Sequence, residues 1–485
     1  MTTKDQIGET AQSAGNGPAL GALPRAELDR LLAGAAPFDA QMCALARRIW
    51  AHPELGYQEH RTAADMAEVL TAQGFDVTRG VAGLPTAFVA SWRQGDGPDV
   101  PAVGLLAEMD ALPGFSQSAA PYPDPLPGQD VGHACGHHLF GAAAIGAAVG
   151  LARWLEATGT PGEVRVYGTP AEEGGAGKVY MARAGLFDDL AIALHWHPDD
   201  VNRVWQSRSL ASIGGRILFH GRTAHAAQAP EAGRSALHGV EAFHHMASLM
   251  RETVPQGTHI HYIVARGGVA PNVIPDLAES RIGVRHPDPA VAQEVFERLE
   301  QAARGAAMGT GTRAEIRRLG AVHSILPNDV VGRVMLANMA ALPPIRWDDA
   351  DHAFAARIQA SMDRPPALDQ AFELGPYVFG SQGAFSSDVG DVSWLVPCGA
   401  LGTATWVPGT RPHTWQAVAA GAHPIADKGM QLAARALMAT GAAFLHAPEL
   451  IAQARAELEA ARGPDYRYRP MVADGPPPFD LTTPA

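Results

Sequence analysis

One segment of the sequence concentrates residue types that bind metal ions: residues 132–138 have the sequence GHACGHH. Cys135 and His137, two residues apart, cannot share a helix face, but in a loop that leads into a helix both can converge on one ion. The ion and the helix N-terminus would both stabilise the thiolate. His133 and His137 form a competing pair at helical spacing, which Gly136 and the preceding Pro-rich loop disfavour.

Two adjacent carboxylates, Glu172 and Glu173, follow a β-rich segment in the sequence TPAEEGG. Neighbouring side chains in an extended segment point to opposite sides. One carboxylate can therefore bind a metal ion while the other exchanges a proton with a water molecule that attacks the substrate. An exposed acidic loop is the alternative interpretation of this dipeptide taken alone.

Three more histidines belong to the candidate set. His195 and His197 lie on one face at the end of a predicted strand, so either could reach a metal ion. His413, in the sequence PHTW, lies at a predicted loop-to-helix boundary, where an isolated histidine is more often a surface residue than a ligand. Open α/β sheets place their sites where strands end and loops begin, which is where these candidates fall.

Alternating strands and helices would position these side chains. Hydrophobic periodicity predicts helices at 38–50, 61–73, 136–157 and 176–184, and strands at 87–92, 102–106, 164–167 and 190–195. From about residue 207 the order becomes β-α-β-β-α-β, with strands at 215–220, 259–265, 276–285 and 313–319 and helices at 233–253 and 290–307. That order is typical of a ferredoxin-like unit.

The predicted fold class is therefore α/β, with a catalytic domain in two pieces and an inserted ferredoxin-like domain. The predicted boundaries are a flexible segment at 1–24, catalytic pieces at 25–206 and 324–463, the insert at 207–323 and a Pro-rich tail at 464–485. We expect both chain ends to be loosely ordered and to carry no chemistry.

Composition excludes several classes of protein. Among 485 residues, 37 Lys and Arg against 50 Asp and Glu give a net charge of −13, which argues against nucleic-acid binding. Three scattered cysteines, Cys43, Cys135 and Cys398, are too few for a disulfide framework and favour a reducing, cytoplasmic location. No secretory signal is apparent, and the apolar stretch 139–151 is too short to span a bilayer, so we expect a buried helix and no membrane partner.

The sequence as a whole resembles the M20 family of zinc-type amidohydrolases and metallopeptidases, in particular its branch of aminobenzoyl-glutamate, aminoacylase-like and auxin-conjugate hydrolases. Matching segments extend from about residue 35 to residue 445. They are HPELGYQEHRTA from His52, LLAEMDALPGFSQ from Leu105, GHACGHH from Gly132, TPAEEGGAGK from Thr169, GRTAHAAQAPEAGRSAL from Gly221, GGVAPNVIPD from Gly267, SSDVGDVSW from Ser386 and PHTWQ from Pro412. Two positions depart from the wider branch. His138 stands where most of the branch has Asp and the aminobenzoyl-glutamate group has Asn, and Glu108 replaces the common Asp but agrees with that closer group.

The resemblance implies a role for each matching position. The implied metal ligands are Cys135, His137, Glu173, His197 and His413, with His195 in place of His197 if Leu-His rather than Trp-His-Pro anchors the match. The other implied roles are a general base at Glu172, a catalytic histidine from the insert at His225, a substrate-binding amide at Asn272 and a ligand-orienting acid at Asp110.

These roles predict a metal-dependent amidohydrolase that cleaves an N-acyl or N-aroyl amino acid with one or two divalent ions. Zinc suits a set of thiolate, imidazole and carboxylate donors, and manganese, cobalt and nickel are alternatives. Other possible functions are an aromatic aminohydrolase or a dipeptidase on the same fold, or a non-catalytic subunit of a heteromeric hydrolase. No G-x-S-x-G elbow, Walker A loop or dinucleotide-binding glycine motif is present.

The insert also suggests an oligomer. A ferredoxin-like unit exposes an edge strand and an outer helix, and pairing them about a two-fold axis would produce a homodimer. His225 follows the predicted strand 215–220, so we expect it to act on the neighbouring chain's site, with the insert moving as a lid. A heteromer with a paralogous subunit is the alternative.

Overall fold

The structure is a computed structural model that describes residues 20–480. Within these residues the strands are β1 Asp76–Arg79, β2 Phe88–Gln94, β3 Ala102–Glu108, β4 Leu112–Pro113, β5 Val131–Gly132, β6 Gly162–Thr169, β7 Ile192–Asp199, β8 Arg203–Arg208, β9 Ala211–His220, β10 His259–Arg266, β11 Leu277–His286, β12 Arg313–Val322, β13 Val378–Gln382 and β14 Cys398–Ala404. The α-helices are α1 Arg25–Ala35, α2 Asp39–Ala51, α3 His60–Ala72, α4 His137–Thr158, α5 Gly177–Arg183, α6 Ala236–Met250, α7 Pro289–Thr310, α8 Asp329–Ala340, α9 Asp349–Gln359, α10 Val389–Ser393, α11 Trp415–Gly421, α12 Pro424–His446 and α13 Pro448–Arg462.

Eight strands form the large sheet, in the order β1-β2-β6-β3-β7-β14-β8-β13. The four central strands, β6, β3, β7 and β14, are parallel, so their carboxyl ends meet at one edge of the sheet. Every residue of β3 is buried, as expected for a parallel strand with helices on both faces. The sheet therefore provides one rigid edge at which four successive loops can meet.

Helix α4 packs in the core of this unit, against β3, α1, α2 and α12. Its length and apolar composition would suffice to cross a bilayer, but 94% of that window is buried inside the fold. Glycines in the left-handed conformation, Gly136 and Gly159, bound the helix. The expectation of a buried helix is confirmed, and its observed bounds, His137–Thr158, are close to the predicted 136–157.

The second unit has the order β9-α6-β10-β11-α7-β12 and a four-stranded antiparallel sheet in the order β10-β11-β9-β12. Helices α6 and α7 pack on the sheet around a separate core that includes Phe219, Phe243 and Phe296. The predicted ferredoxin-like insert is confirmed. Its two connections to the large unit leave side by side, because Ser212 at the start of β9 pairs with Val322 at the end of β12.

The described residues next to the two chain ends, 20–24 and 464–480, are better packed than the composition predicts. Residues 1–19 and 481–485 lie outside the described part, but the backbone N–H of buried Leu23 already donates to Asn338 Oδ1. In the tail, Met471 joins the core of the insert, and Val472 packs against both cores. Farther on, Phe479 packs edge-to-face on Tyr57, with ring centroids 5.3 Å apart. The tail thus connects the two units.

The segment 343–380 contains α9, and it packs against the large unit. Phe354 and Ile358 of α9 are buried in the main core. The side-chain amide of Gln359 donates to the carbonyl of Pro408, in the loop that leads to His413. The segment thus packs against the loop that carries His413.

Candidate active site

The candidate ligands come together at the carboxyl edge of the central parallel strands. Glu172 and Glu173 lie in the loop after β6, and His197 lies near the end of β7. His413 lies in the loop after β14, just before α11. The segment before α4 adds Cys135, so residues far apart in sequence meet because their strands are neighbours.

One group of possible ligands consists of Cys135, His137 and His197, whose ligand atoms all lie within 4.8 Å of one another. Cys135 Sγ is 3.3 Å from His197 Nε2. Gly136 makes this approach possible because its φ is +80° and a Cβ there would lie 2.8 Å from Pro198 Cγ. A glycine between the two ligands is therefore a steric requirement.

A second group shares the thiol: Cys135, Glu173 and His413 also have ligand atoms within 4.8 Å of one another. His413 Nε2 is 3.3 Å from Glu173 Oε1. The backbone N–H of His413 donates to the carbonyl of Ala134, at 2.9 Å, which ties the late loop to the Cys135 loop. His413 has a φ of +59°, a strained conformation of the kind that clusters at functional sites.

The two adjacent carboxylates separate as the sequence predicts. Glu173 belongs to the group with His413, whereas Glu172 belongs to a third group with Glu108 and His137. Burial, followed by the negative charges of Glu108 and Glu173, raises the pKa of Glu172 well above its usual value. A carboxyl group whose proton affinity is raised in this way is suited to acid–base work.

Asp110 orients two of the predicted ligands. Its Oδ1 lies 2.9 Å from His137 Nδ1, which leaves Nε2 of that ring to face the site. Its Oδ2 accepts a 2.9 Å hydrogen bond from the backbone N–H of Glu173. A carboxylate that fixes the far nitrogen of a metal-binding histidine is a common feature of zinc sites.

The site's electrostatics fit a bound cation. Burial, followed by the charge of Glu173, raises the pKa of the Cys135 thiol. Although burial opposes the charged form of His137, nearby Cys135 and Glu108 raise its pKa overall. His137 Nε2 and Glu173 Oε1 are buried and have no hydrogen-bond partner within residues 20–480. Buried donor atoms of thiol, imidazole and carboxylate type, two of which have no hydrogen-bond partner in the described chain, fit a divalent metal ion such as zinc.

The remaining histidines near the site lie outside these groups. His195 is buried, and its ring stacks on Phe140 at a centroid distance of 6.5 Å, so the geometry favours His197 as the ligand. His138 Nε2 is 3.0 Å from the carbonyl oxygen of Gly421. His133 packs on His138, with ring centroids 4.9 Å apart.

The two candidates from the insert are placed differently. His225 and Asn272 are both exposed and are neighbours, since the backbone N–H of Ala226 donates to the carbonyl of Asn272. His225 Nδ1 accepts from the backbone N–H groups of Ala227 and Gln228, so its proton is on Nε2. In the described part of the chain, neither side chain hydrogen-bonds to a predicted ligand.

The sequence analysis missed a buried ion cluster at this edge. Lys178, at the start of α5, lies between Glu108 at the end of β3 and Asp388 just before α10. These residues lie in three of the segments that resemble the M20 family, LLAEMDALPGFSQ, TPAEEGGAGK and SSDVGDVSW. That resemblance was the sequence signal that could have identified them. Nothing in the sequence marked the lysine as buried.

Comparisons with known proteins agree with this geometry. Residues 210–309 match the peptidase dimerisation domain of the M20 family. The chain is 38% identical over 424 residues to one of the subunits of p-aminobenzoyl-glutamate hydrolase from Escherichia coli K12, covering 82% of this chain and 87% of that protein.

Two solved structures share the fold. One is an aminobenzoyl-glutamate utilization protein from Klebsiella pneumoniae, with 21% identity, a TM-score of 0.53 and coverage of 82% of this chain and 98% of that one. The other is a dinuclear metal-binding M20 peptidase from Bacillus subtilis, with 19% identity, a TM-score of 0.53 and coverage of 85% and 99%. The chain belongs to the M20 family of metal-dependent hydrolases that act on amide bonds.

Proposed function

We propose that this chain hydrolyses the amide bond of an N-acyl or N-aroyl amino acid. The observation that carries the proposal is the separation of two adjacent carboxylates, Glu173 toward Cys135 and His413, and Glu172 toward Glu108 and His137. This arrangement gives one dipeptide both a metal-binding and a proton-transferring side chain.

The proposed metal ligands form two groups that share the Cys135 thiolate. They are Cys135, His137, His197, Glu173 and His413. A divalent ion bound there would supply Lewis acidity, which lowers the pKa of a water molecule and polarises the scissile carbonyl. We propose zinc as the ion, with manganese, cobalt or nickel as substitutes, because the donors include a thiolate.

Glu172 then has two tasks in sequence. It accepts the proton of the attacking water and passes it to the leaving nitrogen. Its raised pKa suits a group that must hold that proton between the two steps. A general base of this kind contributes roughly 100-fold to 10,000-fold to the rate.

The insert supplies the substrate-binding groups. The proton on His225 Nε2 can donate to the oxyanion, and the adjacent Asn272 amide can hold the substrate. We propose that they act across a homodimer. The edge strand β10 exposes Ile263 and Val264, one on each face of the sheet, and its backbone edge is unpaired in the described chain, so a second copy could pair there.

We infer an aroyl or acyl amino acid as the substrate class, with p-aminobenzoyl-glutamate as the first compound to test, from the likeness to the hydrolase of that name. The test uses this chain alone, purified and metal-loaded, against N-acyl and N-aroyl amino acids, dipeptides and aromatic amines, with detection of both products. Release of the free amino acid supports the proposal. Preferential cleavage of dipeptides would instead make the protein a dipeptidase, and a metal-loaded but inert chain would give it a supporting role in a heteromer.

A further inference from the structure

Lys178 is a fully buried lysine whose ammonium group lies between two carboxylates. Its Nζ is 2.7 Å from Glu108 Oε1 and 2.6 Å from Asp388 Oδ1. Asp388 also accepts the backbone N–H of Lys178, at 2.9 Å, so the lysine is fixed at both ends. A buried ammonium is costly unless it is paired in this way.

The second oxygen of Glu108 faces a predicted metal ligand. Glu108 Oε2 lies 3.2 Å from His137 Nε2, yet the two atoms are not aligned as a hydrogen bond, and this Nε2 has no other hydrogen-bond partner in the described chain. Ligand atoms at ~2.0–2.2 Å from one tetrahedral zinc ion are themselves separated by roughly 3.3–3.5 Å. The spacing of Glu108 and His137 is therefore close to that of two donors around a common centre.

We propose that Glu108 is a further metal ligand on the ion that His137 binds, and that Lys178 is the positioning residue that holds it there. The inference rests on the metal centre of the proposed function.

The length of the Glu108 side chain matters to this arrangement. One carboxylate must contact Lys178 with Oε1 and face His137 with Oε2. Aspartate is one methylene shorter and cannot make both contacts from the same backbone position. Glu108→Asp therefore keeps the charge and the burial while withdrawing the donor atom.

The experiment strips the full-length protein of metal and titrates it with cobalt(II), measuring affinity by competition with a chelator and recording the visible spectrum. Lys178→Met should weaken one cobalt site about 10- to 100-fold, the usual effect of losing a residue that supports a ligand. Glu108→Gln should weaken that site at least as much and alter its spectrum. The double variant should lie within about threefold of Glu108→Gln alone, because the lysine acts through the glutamate.

Asp391→Asn is the matched control. Asp391 is a fully buried carboxylate on α10, three residues after Asp388, and it accepts from His323 and Tyr468 rather than from Lys178. Its replacement should leave cobalt affinity and spectrum unchanged. Circular dichroism verifies folding, and Glu108→Asp carries the test if Lys178→Met does not fold.

Unchanged affinity and spectrum in Glu108→Gln would overturn the inference, as would full additivity in the double variant. Metal binding is measured apart from turnover, so the two proposals can fail separately. A protein that binds cobalt with the expected variant effects but cleaves no amide contradicts only the proposed function. A protein that cleaves amides and tolerates Glu108→Gln contradicts only the inference.

Discussion

Two regions are predicted to contribute to one active site. The first is the carboxyl edge of the large sheet, called the ligand edge because it holds the predicted metal ligands, and the second is the part of the insert that carries His225 and Asn272. They are built differently. At the ligand edge, Cys135 and His137 are buried, and Asp110 fixes the His137 ring. On the insert, His225 and Asn272 are exposed and bond to neighbouring backbone. The predicted metal ligands are thus held in place within one unit, whereas the predicted substrate-binding groups are exposed on the other.

The difference teaches how this chain divides its tasks. A metal site must hold its donors within a few tenths of an ångström, which rigid strand ends can do. Groups that grip the substrate must let it enter and leave, so they are better carried on a unit that moves or on a neighbouring subunit. The following changes test that division, beginning with the largest expected effect.

Within the ligand edge, Glu172→Gln should lower kcat by roughly 100-fold to 10,000-fold while the metal content stays unchanged. Glu173→Gln should lose metal first, because its carboxylate lies in the group with Cys135 and His413. Metal analysis and steady-state kinetics of the two variants make the comparison. Glu163→Gln, at the far end of β6, is the control, and the reverse pattern would exchange the two roles.

On the insert, His225→Ala should lower kcat about 100- to 1,000-fold without loss of metal, as expected for one oxyanion donor. Mixing this variant with Glu172→Gln under conditions of subunit exchange tests whether the site is shared. If it is, activity should return to at most roughly a quarter of wild type, since each mixed dimer has one intact site. Demonstrated exchange with no recovery would mean that His225 acts in its own chain or not at all.

Cys135→Ser tests metal binding at the ligand edge directly, because the thiol belongs to both groups of possible ligands. A hydroxyl loses its proton to zinc less readily than a thiol does, so the variant should release metal to a chelator at an about 10- to 100-fold lower concentration. Chelator titrations of Cys135→Ser and of Cys398→Ser measure this. Cys398 is a free, buried cysteine outside these groups, and equal sensitivity of the two variants would contradict the assignment.

The smallest expected effect concerns the edge of the insert. Ile263 is 61% exposed on β10, so the Ile263→Lys monomer should fold normally. The added charge would oppose strand pairing between subunits and weaken a dimer about tenfold or more. Sedimentation over a range of concentrations measures the change. Met308→Lys on α7, where the side chain is 82% exposed, should leave association unchanged. Equal association of both variants and wild type would place the interface elsewhere.

The sequence could predict where several candidates lie because Glu172, Glu173 and His413 lie in loops after strands of the large sheet, and parallel strands bring such positions together. It left His195 and His197 open because residues two apart on a strand share a face. Only their contacts separate them: His197 meets Cys135, and His195 meets Phe140. The two units were predictable for a similar reason, since their patterns of strand and helix differ.

Lys178 and the tail were not predictable in the same way. The lysine is buried by Glu108 and Asp388, which lie 70 and 210 residues away, and no local pattern records such partners. In the tail, proline content suggested disorder, but widely spaced residues such as Met471 and Phe479 find apolar partners. Composition describes the average residue of the tail, whereas the packing of the tail depends on a few apolar side chains that contact the folded units.

The tail also restricts the mechanical freedom of the insert. The two covalent connections leave side by side at Ser212 and Val322, so alone they would act as one narrow hinge. The tail makes a third attachment farther along the insert sheet, where Arg318 donates to the carbonyl of Met471 and Asp480 lies 3.9 Å from Arg317. These contacts limit rotation of the insert about that hinge. A large rotation would require the tail to stretch or to detach from the insert.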